Sequence, residues 1–129
     1  MSNYNTSISS IESFLYDHLN KTVSDNTFTG LPDTMKASWS DMCYIDCGNA
    51  IYDLNCYGHG SVLIWLYTKP RSDGSKNTKL MAKLEARLSD VLGTLRSDKY
   101  AVNKRSVYND YDSDRKWYCT VVVLSIIVY

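Results

Sequence analysis

The last segment of the chain constrains the fold more than any other. Trp117–Tyr129 reads Trp-Tyr-Cys-Thr-Val-Val-Val-Leu-Ser-Ile-Ile-Val-Tyr. Its β-branched residues are stiff at χ1 and suit a strand better than a helix. Extended at ~3.3 Å per residue, it would span about 43 Å, roughly twice a usual strand. It is apolar on both faces, so each side needs a covering layer. Either it bends across its own sheet, or a neighbouring subunit pairs with and covers part of it, because unpaired strand edges invite pairing between chains. The second solution is the expectation drawn here. The run falls far short of the ~20 apolar residues that span a bilayer as a helix. The opening Met-Ser-Asn-Tyr-Asn-Thr has neither the basic region nor the apolar core of a signal peptide. These features predict a soluble protein made in the cytoplasm, with no membrane contact.

The other elements must fit around that strand within 129 residues, about the size of a single domain. With 44% apolar and 22% charged residues, the chain can build a core without disulfides or metal. Ser9 and Glu12 stand at capping-box spacing, and Ile8, Ile11, Leu15 and Leu19 recur every three or four residues, which predicts a helix over Ser9–Asn20. Residues 20–41 read as a long irregular loop, rich in Ser, Thr, Asn and Asp, with Gly30 and Pro32. Its length implies either a function or a hidden short element, and Leu31, Met35 and Trp39 can pin it to the core. Met42–Cys47 and Ala50–Tyr57 read as strands, separated by Gly48-Asn49, and Gly58-His59-Gly60 reads as a turn. Ser61–Lys69 is almost continuously apolar and predicts a central strand covered on both faces. Leu80, Leu84, Leu88, Val91 and Leu95 form the stripe of an amphipathic helix over Thr78–Arg96. Tyr100–Tyr108 reads as a strand and Asn109–Arg115 as an acidic turn. The order predicts one α+β domain over residues 1–129: an antiparallel or mixed sheet of four to five strands with two helices packed on one face.

A search for chemistry along the chain finds little. There is no G-x-S-x-G, P-loop or G-x-G-x-x-G pattern. Cys43, Cys47, Cys56 and His59 suggest zinc, but Cys43 and Cys47 on one strand stand about 13 Å apart at ~3.3 Å per residue, too far to share an ion. Asp110, Asp112 and Asp114 imitate the opening of a calcium loop, yet Arg115 and Val121 stand where that loop needs Gly and Glu. His18 on the first helix reads as structural. The expectation is a protein without a catalytic centre, metal or cofactor.

Charge and aromatic content point the same way. Fourteen Lys and Arg balance 14 Asp and Glu, without the basic excess of a dedicated nucleic-acid binder. Tyrosine is over-used, with 11 Tyr against 3 Trp and 2 Phe. Its ring buries while its hydroxyl stays wet, which suits half-exposed strands and interfaces. Lys79, Lys83 and Arg87 form a ridge on the second helix, read as a solvated face or as a face toward a channel or partner.

The succession Ala50–Lys69, Thr78–Arg96 and Tyr100–Tyr129 resembles the tail-terminator and neck-ring (head-tail connector) proteins of tailed bacteriophages. The Tyr- and Asn-rich texture is similar to that of proteins from crAss-like phages. The resemblance implies a structural virion protein, made in the host bacterium. It implies a six- or twelve-fold ring beside other neck, tail or portal proteins, around a channel through which the genome passes without sequence-specific contact. On this reading the subunit interface takes Trp39, Tyr111, Val121, Val123, Ile127 and Tyr129. Two other classes fit the sequence: a small cytoplasmic enzyme using Asp46, Asp53 and His59, and a monomeric binding module built on the same sheet.

Overall fold

Helical spacing of Ile11, Leu15 and Leu19 is realised in helix α1, Ile8–Leu19, which buries all three. In this computed structural model, which describes residues 8–47, 51–53, 58–95 and 97–129 (backbone only at 51–53 and 58–59), the helix already includes Ser9. Ser9 and Glu12 therefore lie inside its first turns rather than at its boundary. Lys21 stops the helix by entering the left-handed region at φ 63°. The long segment that follows does hide a short element. Strand β1, Thr27–Phe28, runs parallel to β2, Asp41–Asp46, with Thr27 opposite Cys43 and Phe28 opposite Tyr44.

Within the predicted strand Ala50–Tyr57, Ile51–Asp53 forms β3 and the remainder lies outside the described residues; β4 runs over Gly58–Thr68. Asp53 pairs with Gly58, so the Gly58-His59-Gly60 tripeptide is strand, not turn. Two flanking glycines mark a turn only where the ladder does not continue through them, and here β4 pairs from Gly58 onward. The predicted Gly48-Asn49 turn lies outside the described residues. Helix α2 spans Thr78–Thr94, with Asn77 as its cap accepting from Leu80 N–H at 3.2 Å. It buries Met81, Leu84, Leu88 and Val91, while Leu80 and Leu95 stay half-exposed. The apolar stripe is thus centred one residue away from the all-leucine reading, because Met81 points more squarely at the sheet.

Strand β5, Tyr100–Asp112, and β6, Trp117–Val128, form the closing hairpin. Asn109–Asp112, expected in a turn, is strand. Polar residues on an edge strand look like turn residues in sequence, since neither needs to be buried. The turn itself is held by Asp112. Its carboxylate accepts from Asp114 N–H and Arg115 N–H, both at 3.1 Å, and Lys116 takes φ 59° to close the hairpin.

The result is the predicted α+β class: a mixed sheet in the order β1-β2-β4-β6-β5, with β3 beside β4. Both edges of β6 are paired within its own chain rather than by a neighbouring subunit. β6 is an interior strand next to the edge, paired with β4 from Tyr118 to Val128 and with β5 from Trp117 to Val128. Strand alternation sends Val122, Leu124, Ile126 and Val128 to one face, where they join both helices in the main core. The other face begins a smaller cluster of Met42, Tyr44, Tyr67, Trp117 and Cys119, covered by Leu31, Met35 and Trp39 of the long loop.

Because a one-residue slip would exchange these faces, side-chain deletions test the register. Leu124→Ala, at a fully buried position, is expected to cost ~2–5 kcal/mol, against ~0.5 kcal/mol or less for Val107→Ala on the exposed strand. Urea unfolding of both variants measures the contrast.

Candidate interaction surface

Two parts of the sheet remain unsheltered in the single chain. The first is the edge strand β5, which pairs with β6 alone. From Asn103 to Tyr111 every residue is exposed. Among the described residues, the exposed large apolar side chains are Val107 (48%), Tyr108 (47%) and Tyr111 (44%) on this strand, and the C-terminal Tyr129 (59%). Tyr129 is pinned beside the start of β5 by its N–H donating to the Lys99 carbonyl at 2.8 Å. The ladder shifts register between Lys104 and Ser106, so Arg105 forms a bulge.

The second is the helix-free face beyond the reach of the long loop. Register places Leu63 beside Val123 there, and Ile127 four residues further along β6. All three are half-exposed and belong to neither buried cluster. At the other end of this face a cleft of about 330 Å³ is lined by Leu31, Tyr44, Trp65, Tyr67, Asp110 and Cys119, among others. Tyr44 and Trp65 stack at 5.4 Å with an 8° interplanar angle.

The predicted interface residues separate on this map. Val123 and Ile127 lie on the open face, and Tyr111 and Tyr129 are exposed. Val121 is not available as a contact: it is 0% exposed, paired between Trp65 and Tyr108 on its own sheet. Trp39 is half-buried against Phe28, with ring centroids 5.3 Å apart, and covers its own core. Val107 and Tyr108 were missed because the sequence reads β5 as an ordinary strand; nothing local marks it as the edge. On α2, Lys79, Lys83 and Arg87 are all exposed, and Arg87 also donates to the Val23 carbonyl at 3.3 Å.

Of the carboxylates considered for catalysis, Asp46 ends β2, about 16 Å from Asp41 at its start at ~3.3 Å per residue. Asp41 is engaged by the hydroxyls of Ser24 and Ser40, and it fixes the loop rather than facing a substrate. The side chains of Asp53, Cys56 and His59 lie outside the described residues. Cys43 and Cys47 belong to the helix-side core and Cys119 to the opposite cluster, so Cys119 faces away from the other two across the sheet. Burial pushes the Cys43 and Cys47 thiols up to about 12 and Cys119 to about 11, which holds them protonated.

Asp112 is the most connected polar group near the edge. It accepts from the Tyr67 hydroxyl at 2.9 Å and pairs with Arg115 at 3.5 Å. Burial pushes its carboxyl up, but the Arg115 backbone N–H, the Tyr67 hydroxyl and the Arg115 charge together outweigh burial and hold it below the usual carboxylate range. Burial, and the adjoining Asp112, raise the Tyr67 phenol, which stays neutral and able to donate. No protein-family model matches this chain, and no curated protein is similar to it.

The lowered Asp112 pKa predicts a pH-dependent contribution to stability. A depressed folded-state value stabilises the protein above the unfolded value of ~3.9, and the contribution is lost as pH falls through the folded value. Wild type is therefore expected to exceed Asp112→Asn in urea midpoint at neutral pH. The gap should close only below about pH 4, which a series of unfolding curves at stepped pH will read.

Proposed function

We propose that the chain is a structural subunit that assembles with its own copies into a ring of the phage tail-terminator or neck kind. The observation that carries this reading is the open sheet face, where Leu63, Val123 and Ile127 form an apolar strip half in water. A second copy is the occupant that suits it. The formal net charge is zero, so copies do not repel one another at long range. Apolar strands on a rigid sheet give a contact of fixed geometry, and a head-to-tail contact closes into a ring when its rotation divides a full turn. Tyr129 extends the same region at the C-terminus with a ring that can be half-buried while its hydroxyl stays solvated. Lys79, Lys83 and Arg87, exposed on α2, would then face the channel or a neighbouring neck, tail or portal protein. No helix among the described residues is long and apolar enough to cross a membrane.

Substitution on the open face tests this without emptying the core. Val123→Lys with Ile127→Lys is expected to keep the circular-dichroism spectrum and a cooperative melt, yet to abolish rings in electron micrographs and incorporation into particles. Incorporation of this folded variant at the wild-type level, or absence of the wild-type chain from purified virions by mass spectrometry, would remove the basis for the reading.

A further inference from the structure

We infer that residues 29–40 form a strap that opens as a unit while the rest of the sheet stays folded, and that its opening uncovers the aromatic end of the face it crosses. Both ends of the strap are fixed. β1 pairs with β2 on one side, and on the other the Ser40 carbonyl accepts from Lys69 N–H at 2.9 Å. Between these ends the chain has neither helix nor strand, and Trp39 N–H donates to the Lys36 carbonyl at 3.0 Å, a turn internal to the strap. Every one of residues 29–40 is exposed or half-buried, whereas Met42, Tyr67, Trp117 and Cys119 beneath them are 6% exposed or less. Burial is thus one-sided: the strap shelters the sheet and gains little shelter itself.

The hold on the strap is correspondingly weak. Leu31, Met35 and Trp39 are its apolar anchors, each half-buried. Lys69 reaches the Ala37 carbonyl from an exposed position. Arg115 is the inner latch. It stands 3.4 Å from the Pro32 carbonyl and 3.5 Å from Asp112, both long for charge-assisted bonds, and its Nε–H is buried with no partner among the described residues. Closed, the latch leaves a donor dry and unpaired; open, water satisfies it. Few buried apolar contacts and poorly satisfied ties mark a segment that opens at far lower cost than global unfolding. Register shows what opening uncovers. Leu63, Trp65 and Tyr67 alternate along this face of β4, beside Val123, Val121 and Cys119 of β6. The strap lies over the Tyr67 end, and the Leu63 end is the open strip, so lifting the strap joins the two into one surface. The strap then regulates how much of this face a second copy meets. That regulatory role rests on the ring reading above, whereas the opening itself does not.

Thiol labelling of the full-length protein tests the opening. Cys119 belongs to the cluster under the strap and Cys43 to the helix-side core of the same sheet, so each reports on one cover. A maleimide is added in native buffer at stepped urea concentrations, and the labelled peptides are assigned by mass spectrometry. Cys119 is expected to react at a rate nearly independent of urea below the unfolding transition, and Cys43 only as that transition is approached. Met35→Ala, which shortens an anchor of the strap alone, should speed Cys119 labelling about fivefold and leave Cys43 unchanged. Cys119 labelling that rises with urea in step with Cys43, or that Met35→Ala leaves unchanged or accelerates only together with Cys43, overturns the inference. Urea-independent Cys119 labelling, accelerated by Met35→Ala, in a chain that forms no rings would sink the ring reading and keep the opening. Rings from a chain whose Cys119 reacts only on global unfolding would do the reverse.

Discussion

The pairing of β6 along its whole length, with β4 on one side and β5 on the other, is the constraint on which the rest of the molecule depends. A strand this apolar cannot leave its N–H and C=O groups unpaired without losing the water that would otherwise satisfy them. Interior placement satisfies both edges within one chain. It also fixes what each neighbour must be. β4 has to match β6 in length and in apolar character, which it does over Gly58–Thr68. β5 has only to match in length, because its second edge faces water, and its sequence is polar accordingly. The two helices then have one place to go, the face carrying Val122, Leu124, Ile126 and Val128.

The opposite face is sheltered by a segment with almost no regular structure of its own. Leu31, Met35 and Trp39 lie over the Tyr44–Tyr67–Trp117 end. Polar ties hold that cover in place: Arg115 donates to the Pro32 carbonyl at 3.4 Å, and Lys69 to the Ala37 carbonyl at 3.0 Å. At the root of the segment, Ser24 binds Asp41 while the Asn26 amide donates to the Asp41 carbonyl at 3.0 Å. Such a cover is finite. It ends before Leu63, Val123 and Ile127, and that boundary turns a sheet with a complete core into one with an open strip.

Elements whose burial is periodic were legible in the sequence, and elements defined by position in the sheet were not. Leu84, Leu88 and Val91 identify α2, and Ile11, Leu15 and Leu19 identify α1, because a 3.6-residue period is written in the side chains themselves. The apolar character of Trp117–Tyr129 announced a strand, but not that it would be interior. That depends on which strands pair with it, and pairing is a property of distant segments. The same ignorance produced the errors at β5, where Asn109–Asp112 looked like a turn, and at Val121, where a buried residue looked available. Val123 and Ile127 alternate with core residues in a run whose members are chemically alike, so only the sheet's two unequal covers distinguish them.

An exposed edge as long as β5 raises a problem that any account of the protein must meet, since an unblocked edge propagates into aggregates. Natural edges are blunted by charge and by bulges, and β5 has both in Lys104 and Arg105. The open face, by contrast, would meet a partner through side chains rather than through the backbone ladder, so assembly there leaves the charged, bulged edge free to stay unpaired.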